Sequence, residues 1–331
     1  MAGTSQSLTV CCYAVPNAKK ILAALQSALS SDPGVQLFLP TSEAELLESP
    51  LFGHIDICLM LFSPSKMLSV ILTNNPIQWI HSFSTGVATY MSAELAACPA
   101  LMTNSKGLSA GNLVEFVFAA TLHFAKHGEK LQDNRAAKVW DFFEMSVLYG
   151  KTMLILGYGN IGQAVGRMAS TTFQMHVIAL KRTPCPCDYA EEVYGLEALP
   201  TLLPRADVVV MCLPYTASTH EVLSTAELAL LRSTAILINI GRGNQVDESA
   251  LIAHLQAHKI AGAALDVTAK EPLPTDDPLW QCPNLLLSPH CACLHEEMAG
   301  DAVEQFIEEL QGFRQGKLHQ SKRLVDKKLG Y

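Results

Sequence analysis

The sequence predicts an α/β protein built around parallel sheets, and three observations support this fold class. Strand-like apolar runs alternate with helix-like runs, which is the order of a parallel sheet with crossover helices. The chain has 331 residues, enough for two domains when single domains usually hold roughly 100–200 residues. A glycine-rich turn at 157–162 lies between an apolar run and a helix-like run, as in nucleotide-binding βαβ units.

The first third of the chain carries the first series of strands, which are separated by helical or turn-rich stretches. The strands are predicted at Leu8–Ala14, Val35–Leu39, Ile55–Leu61 and Ile77–Phe83, with an amphipathic helix at Ala18–Leu29. These short apolar runs, bounded by turn residues, are typical of buried strands.

From Gly150 onward the alternation of strands and helices becomes regular. Strands are predicted at Met153–Leu156, His176–Leu180, Asp207–Leu213, Ala235–Ile240, Gly262–Val267 and Leu285–Ser288. Helices are predicted at Asn160–Ser170, Thr225–Leu231, Glu248–His258 and His295–Phe313. Glu296 and Glu297 fall in the first turn of the last helix, where acidic side chains suit the positive end of the helix dipole.

One helix-like segment, Leu113–Ala125, is apolar on nearly all its faces. It is too short to span a bilayer, which needs roughly 20 residues. Such a helix has to be covered on more than one side. Another domain or a second subunit would cover it, and the sequence favours a homodimer, the commoner arrangement among soluble enzymes.

Composition excludes several classes of protein. The net charge is −8 and no basic block is present, so the chain is a poor candidate for binding nucleic acid. No signal peptide and no membrane-spanning run are visible, which predicts a soluble, cytoplasmic protein. The ten cysteines include two C-x-C pairs without zinc-site spacing, so we expect reduced thiols and no metal.

The glycine-rich turn reads Gly157-Tyr158-Gly159-Asn160-Ile161-Gly162. In such turns the first glycine permits the tight bend, the second lets a pyrophosphate approach the backbone, and the third lets helix and strand pack closely. Free N–H groups at the helix N-terminus would then bind the phosphates. The turn therefore predicts a dinucleotide-binding site, and a loop without a ligand is the alternative.

The end of the next strand indicates which dinucleotide is bound. NAD-binding turns usually have an Asp or Glu there for the ribose hydroxyls, whereas this chain has Lys181-Arg182-Thr183. Two cations and a hydroxyl suit a 2′-phosphate. The sequence favours NADP(H) and leaves NAD(H) open, because both cations could also be solvated surface charges.

Three polar residues follow predicted strands, where ligands of open α/β sheets bind. Arg242 could hold a substrate carboxylate with its fork of donors, and His290 could protonate a developing alkoxide. Glu271 could fix the tautomer of that histidine. Taken singly, each could instead be a structural or surface residue. Together they match what hydride transfer to a 2-oxo acid requires.

At these residues the sequence resembles the D-isomer-specific 2-hydroxyacid dehydrogenase family, including its glyoxylate/hydroxypyruvate reductase-like and phosphoglycerate dehydrogenase-like members. The resemblance is carried, in order, by GYGNIG, VVVMCLPYTASTH, INIGRGNQVDESAL, GAALDVTAKEPLP and NLLLSPHCA. It implies two Rossmann-like parallel-sheet domains with a cleft between them. A flavodoxin-like substrate domain would comprise 1–109 and 293–331, and the dinucleotide-binding domain 110–292.

The resemblance also implies roles for individual residues. Arg242, Glu271 and His290 would be catalytic, and the Leu113–Ala125 helix would lie at the dimer contact. The backbone of Ser84, Thr85, Gly86 and Val87 would bind the substrate carboxylate together with Arg242. Cofactor contacts are expected at Gly157, Gly159, Asn160, Ile161, Gly162, Lys181, Arg182, Thr183, Leu213, Pro214, Thr219, Ile240, Gly241 and Asp266.

The resemblance implies an NAD(P)-dependent dehydrogenase that interconverts a small 2-oxo acid and its D-2-hydroxy acid, with glyoxylate or hydroxypyruvate as the expected substrates. The alternative is a dinucleotide-sensing interaction protein similar to corepressors with this fold. Formate oxidation is set aside, because members with that activity carry Gln where this chain has Glu271. After His290 the chain reads Cys-Ala-Cys, a departure that bears on substrate preference.

Overall fold

The structure is a computed structural model that describes residues 7–13, 18–61, 66–87 and 91–330. The chain divides into two compact units, residues 1–108 with 295–331 and residues 109–294. Each unit is built on one parallel sheet, so the predicted α/β class with two parallel-sheet domains is confirmed. Among the helices of the described residues, none combines the length and apolar character needed to cross a bilayer.

The first unit is built on a five-stranded sheet. Its strands are β1 (Leu8–Cys12), β2 (Val35–Phe38), β3 (Ile57–Met60), β4 (Trp79–Ser82) and β5 (Leu101–Asn104). All neighbours are parallel, in the order β2-β1-β3-β4-β5. This is the flavodoxin-like order. The predicted first strand extends to Ala14, which lies outside the described residues.

Helices pack on both faces of this sheet. They are α1 (Lys19–Leu29), α2 (Glu43–Glu48), α3 (Lys66–Asn74), α4 (Ala93–Ala97) and, from the C-terminal part of the chain, α11 (Met298–Arg314). On one face the core centres on Trp79, which stacks on Phe306 and Phe313 of α11. The C-terminal part of the chain thus completes the unit that the N-terminal part begins.

The second unit is built on a seven-stranded sheet. Its strands are β6 (Thr152–Leu156), β7 (His176–Leu180), β8 (Glu192–Tyr194), β9 (Val208–Met211), β10 (Ile236–Asn239), β11 (Gly262–Leu265) and β12 (Leu285–Leu287). Its helices are α5 (Ala110–Ala125), α6 (Gly128–Ala137), α7 (Asn160–Thr171), α8 (Leu199–Leu202), α9 (Thr225–Leu228) and α10 (Glu248–Gln256). The inner strands are continuous apolar runs because both faces are covered.

The order of this sheet is β12-β11-β10-β9-β6-β7-β8, with parallel pairs throughout. The chain starts in the middle, moves outward to β8, and then returns to build the other half from β9. The strand order therefore reverses between β6 and β9. In open sheets of this kind, ligands bind at the carboxyl ends of the strands at such a reversal.

The apolar helix predicted at Leu113–Ala125 is α5, and it packs on α7 and β10 of its own unit. Phe118 stacks on Phe173 with 4.8 Å between ring centroids, and Phe124 reaches Gly262. Most of the apolar surface of α5 is therefore covered within one chain. Its remaining partly exposed apolar side chains include Phe116 and Leu122.

Predicted and observed helix boundaries differ by up to three residues, and α5 begins at Ala110 rather than at Leu113. The last helix begins at Met298, so Glu296 and Glu297 precede it, and the acidic residue of its first turn is Asp301. The helix predicted at Thr225–Leu231 ends at Leu228, because the next residues turn back with short-range bonds such as Leu231 N–H to Leu228 O. Apolar residues continue past Leu228, whereas the regular helical hydrogen bonds do not.

Candidate active site

The glycine-rich turn joins β6 to α7 at the reversal point of the seven-stranded sheet. Gly157 has φ +99°, and a Cβ there would lie 2.7 Å from the carbonyl oxygen of Cys212, which follows β9. A Cβ on Gly162 would lie 2.2 Å from the carbonyl oxygen of Gly157. Both glycines are therefore required by close packing of the protein on itself.

Gly159 differs from both, because nothing lies within 4 Å of the position a Cβ would take. It is exposed, with a negative φ of −86°, and it immediately precedes α7, whose first residues are Asn160 and Ile161. The backbone here faces open space at the N-terminus of a 12-residue helix. Open space beside unpaired helix N–H groups fits a pyrophosphate.

A side chain inside the motif, Tyr158, was not singled out from the sequence. Its ring is buried against Gly166 of α7, and its hydroxyl donates to the carbonyl of Asp188 at 2.9 Å. Burial raises the pKa of Tyr158 to about 12. This packing ties the turn to the segment that follows β7.

That segment begins with Lys181, Arg182 and Thr183, directly after β7. The N–H of Lys181 donates to Tyr194 of β8 at 2.9 Å, while Arg182 and Thr183 are exposed. Three side chains able to bind phosphate therefore follow the strand next to the glycine turn. No acidic residue occupies these three positions.

The loop after β9 contains Leu213, Pro214 and Thr219. Thr219 is buried, and its hydroxyl donates to the carbonyl of Pro214 at 2.9 Å while accepting from the N–H of Thr216 at 2.8 Å. Gln245 also donates to the carbonyls of Leu213 and Pro214, at 3.2 and 3.1 Å. The loop shape is thus held from two sides.

The three candidate catalytic residues follow β10, β11 and β12, which are adjacent in the sheet. Arg242 lies three residues after β10, Glu271 six residues after β11, and His290 three residues after β12. Because the strands are parallel, their carboxyl ends meet at one edge of the sheet. These residues are far apart in the sequence, and the sheet brings the loops that carry them to the same edge.

The structure joins two of the three directly. His290 Nδ1 and Glu271 Oε2 are 2.8 Å apart, and the other oxygen of Glu271 accepts from the N–H of Thr268 at 3.1 Å. An ionised Glu271 can only accept, so the proton of this bond belongs to Nδ1. The opposite nitrogen of the imidazole, Nε2, is then the one available to exchange a proton with a substrate.

His290 itself lies in the left-handed backbone region, with φ +54°. Its N–H donates to the carbonyl of Asp266 at 2.8 Å. The carboxylate of Asp266 is buried and accepts three bonds, from Ser288 Oγ at 2.7 Å and from the N–H groups of Cys291 and Ala292 at 3.0 Å. Asp266 therefore organises the turn that carries the histidine.

Arg242 is partly buried, and its Nη1 donates to the carbonyl of Gly241 at 2.6 Å. Its own N–H donates to Gln245 Oε1 at 2.9 Å. Asn239, the last residue of β10, accepts from Gly241 N–H at 2.9 Å and donates to the carbonyl of Arg242 at 3.1 Å. Two buried amides, Asn239 and Gln245, thus shape the arginine turn.

The loop between β11 and Glu271 is packed against this turn. A Cβ on Gly243 would lie 1.9 Å from the carbonyl carbon of Thr268 and 2.2 Å from Ala269 N. Glu248, at the start of α10, accepts from the N–H of Ala269 at 2.6 Å, and burial raises its pKa. The arginine turn and the glutamate loop therefore hold each other in place.

The residues expected to bind the substrate carboxylate, 84–87, follow β4 in the first unit. The carbonyl of Thr85 accepts from Asn104 Nδ2 at 2.6 Å, and the N–H of Ser84 lies 3.2 Å from Ser82 Oγ. Val87 is buried. Side chains at the ends of β4 and β5 thus define the shape of this turn.

Metal binding finds no support in the part of the chain that the structure describes. There, no three His, Cys, Asp or Glu side chains are grouped so that they could hold a metal ion. The cysteine and histidine residues of the 290–295 stretch are thus not assembled into a ligand set.

Comparison with known proteins places these features in a family. Residues 118–292 match the sequence model described as "D-isomer specific 2-hydroxyacid dehydrogenase, NAD binding domain". A glyoxylate/hydroxypyruvate reductase B from Citrobacter koseri is 35% identical over 266 residues, covering 76% of this chain and 81% of that protein.

Solved structures show the same similarity. A D-isomer specific 2-hydroxyacid dehydrogenase from Xanthobacter autotrophicus, solved with NADPH and MES, superposes with a TM-score of 0.85. It is 26% identical, and the superposition covers 98% of this chain and all of that one. A family protein from Aeromonas salmonicida has a TM-score of 0.82 at 27% identity, covering 97% of this chain and all of its own.

Proposed function

The chain belongs to the D-isomer specific 2-hydroxyacid dehydrogenase family, and we propose that it reduces glyoxylate or hydroxypyruvate to the D-2-hydroxy acid with NADPH. It is an NAD(P)-dependent oxidoreductase, and its relatives favour this reading over a dinucleotide-sensing corepressor. The observation that supports the proposal most is the 2.8 Å bond between His290 Nδ1 and Glu271 Oε2.

The chain's own residues account for the remaining chemistry. When bound, the nicotinamide supplies the hydride. Arg242 binds the substrate carboxylate and polarises the carbonyl. His290 donates a proton from Nε2 to the developing alkoxide. Glu271 fixes the tautomer of His290 and stabilises its protonated form.

We assign the cofactor contacts to the second unit. The open backbone at Gly159, with Asn160 and Ile161, binds the pyrophosphate. Lys181, Arg182 and Thr183 bind the 2′-phosphate, which is the reason for choosing NADPH. The groove continues along the other assigned contacts, Gly157, Gly162, Leu213, Pro214, Thr219, Ile240, Gly241 and Asp266. In the first unit, the backbone of 84–87 is the proposed contact for the substrate carboxylate.

We also propose a homodimer, supported by an exposed apolar strap at residues 138–149, between α6 and β6. Trp140 is 91% and Phe142 89% exposed, although Ser146 N–H anchors the strap to Ala125 O at 2.9 Å. Large apolar side chains held in water mark an interaction surface. A second copy of the chain is the proposed occupant. We also propose a cytoplasmic location, where the ten cysteines would be kept as thiols.

The test is the loss of NADPH absorbance with glyoxylate, hydroxypyruvate and pyruvate in turn. His290→Gln should lower kcat by about 10²- to 10⁴-fold, the usual range for general acid catalysis, with the NADPH Kd unchanged. Arg242→Lys keeps the charge but loses the fork, so KM should rise as kcat falls. Absence of turnover with all three acids would exclude this activity.

A further inference from the structure

A cluster of two thiols and one ammonium lies where β7 ends, outside the candidate catalytic residues. Lys181 Nζ is 3.4 Å from Cys185 Sγ and 3.5 Å from Cys187 Sγ. The two sulfurs are 3.9 Å apart, with Pro186 between the two residues in the sequence. One lysine therefore contacts both sulfurs of a C-x-C pair.

The pair is open to reagents from solution. Cys185 is exposed and Cys187 is partly exposed, and Cys187 Sγ also lies 3.2 Å from the carbonyl oxygen of Cys185. Hydrogen bonds from Lys181 to the two sulfurs raise the pKa of that lysine, so its ammonium stays charged beside them. A solvent-accessible thiol beside a cation is the environment in which cysteines react.

Several other thiols of the chain have the opposite environment. Cys11, Cys12 and Cys58 are buried in the first unit, where burial raises the pKa of each thiol. Buried thiols of this kind are unreactive. The Cys185–Cys187 pair stands apart from these by its exposure and by its cationic partner.

We propose that Cys185 and Cys187 form a reversible disulfide that sets how tightly Lys181 binds the 2′-phosphate of NADP(H). The inference rests on the proposed function, because that function assigns the 2′-phosphate to Lys181. Its chemical part, the disulfide, needs only the two thiols and a hydroperoxide.

The oxidation balances in two steps. The Cys185 thiol attacks one oxygen of hydrogen peroxide, which gives a sulfenic acid and one water. The Cys187 thiol then attacks that sulfur, the S–S bond forms, and a second water leaves. In sum, two thiols lose two electrons and two protons to the peroxide, and a dithiol reductant reverses the reaction by exchange.

Formation of the disulfide changes which groups compete for hydrogen bonds from the ammonium of Lys181. In the dithiol form both sulfurs accept from Lys181, so they compete with a phosphate for the ammonium. In the disulfide the sulfurs are drawn to about 2.05 Å of each other and no longer carry protons. Poorer acceptors release the ammonium to the phosphate. NADPH then binds more tightly, while NADH, which has no 2′-phosphate, is unaffected.

The experiment treats the full-length protein with hydrogen peroxide, blocks the remaining thiols and determines peptide masses. The peptide containing both cysteines should lose two hydrogen atoms and regain them with dithiothreitol. The Kd of NADPH and of NADH is then measured for both forms by the fluorescence of the bound dihydronicotinamide. Oxidation should lower the NADPH Kd about fivefold, the scale of one exposed ion pair, and leave that of NADH unchanged.

Variants separate the steps. Cys185→Ser with Cys187→Ser should abolish both the mass change and the Kd shift. Cys282→Ser is the control, because Cys282 precedes β12 at the opposite edge of the sheet, and it should keep both. Lys181→Met should form the disulfide but show no shift in the NADPH Kd.

The outcomes that overturn the proposal are distinct from failure of the proposed function. The proposal is overturned if peroxide oxidises the protein without forming this disulfide, for example by giving a lysine–cysteine product that gains oxygen. It is also overturned if the disulfide forms but leaves the NADPH Kd unchanged or raises it. A Kd shift that persists in Lys181→Met also overturns it. A protein that forms the disulfide and shows the shift but reduces no 2-oxo acid contradicts the proposed reduction alone.

Discussion

At the scale of single residues, the glycines of the turn illustrate two physical reasons for the same residue type. Gly162 is required by the protein itself, because any Cβ would collide with the carbonyl of Gly157. Gly159 has open space in front of it and a φ that other residues adopt. The fold therefore does not require a glycine at this position, and we propose that its lack of a side chain serves the bound pyrophosphate.

This difference makes a prediction. Gly159→Ala should change the free energy of unfolding by less than about 0.5 kcal/mol, as surface changes do, and still weaken NADPH at least tenfold. Gly162→Ala should instead destabilise the protein by about 1–3 kcal/mol through overpacking. Urea denaturation and NADPH titration measure both quantities, and Gly312→Ala, with open space around it, is the control. A destabilised Gly159→Ala with normal NADPH binding would contradict this interpretation.

A second prediction concerns Gly243, which touches neither substrate nor cofactor in the proposed mechanism. Its missing Cβ lets the 268–269 backbone approach, and that backbone leads to Glu271. Gly243→Ala should therefore displace the glutamate and lower kcat at least about tenfold, since small misplacements of catalytic groups are costly. The NADPH Kd should stay within twofold or so of wild type. Equal losses in kcat and in NADPH binding would instead indicate general disruption.

At the scale of one element, β4 contains a buried histidine that makes the first unit sensitive to acid. Trp79 Nε1 donates to Thr103 Oγ1 at 2.9 Å, and Thr103 Oγ1 lies 2.8 Å from His81 Nδ1. The threonine hydroxyl can donate to Nδ1 only if Nδ1 carries no proton. Burial, with a smaller effect of the Arg323 charge, lowers the pKa of His81 from 6.5 to about 3. The strand thus holds a neutral imidazole.

The sign of the pH effect follows from proton binding. Above the unfolded pKa of 6.5 the imidazole is neutral in both states, and below it the unfolded chain takes up a proton that the folded chain refuses. Stability is therefore lost as pH falls from about 6.5 toward about 3, by about 2 kcal/mol at about pH 5. Urea midpoints should show this loss in wild type and a smaller one in His81→Gln. An equal loss in both would assign the acid sensitivity to other groups.

At the scale of the whole molecule, the exposed strap at 138–149 is an apolar surface that a single chain leaves open to solvent. Lys130 holds it through Asp141 at 3.1 Å and over the ring of Phe143 at 4.2 Å. It is therefore attached to its own unit while Trp140 and Phe142 remain in water. Interfaces between protein copies are enriched in such aromatic side chains.

The corresponding prediction is an oligomeric state. Wild type should sediment as a dimer, and Trp140→Ser with Phe142→Ser should shift it toward the monomer, because burial of each aromatic ring is lost. Trp280→Ser is the matched control, since Trp280 is 55% exposed and lies outside the strap. Analytical ultracentrifugation over a range of concentrations measures the shift. A monomeric wild type, or a double variant that remains dimeric, would rule out this role of the strap.

Much of the architecture was accessible from local pattern. Apolar runs of four or five residues such as those of β6, β9 and β10 identify strands that are buried on both faces. The elements that the sequence did not indicate include β5 and the nine-residue helix α3, and also the short or polar elements β8 and α6. A short or weakly apolar segment becomes regular only through its neighbours in space, so its own pattern is too weak to identify it.

By itself, the sequence determined the fold class, the glycine turn and the residue types Arg242, Glu271 and His290, because each of these is encoded in a short stretch of chain. The tertiary structure decided that His290 and Glu271 bond, and that Asn239, Gln245 and Asp266 shape the loops around them. It also placed Lys181 between two thiols. Hydrogen bonds depend on distances of a few tenths of an ångström between side chains, and residue spacing along the chain does not determine those distances.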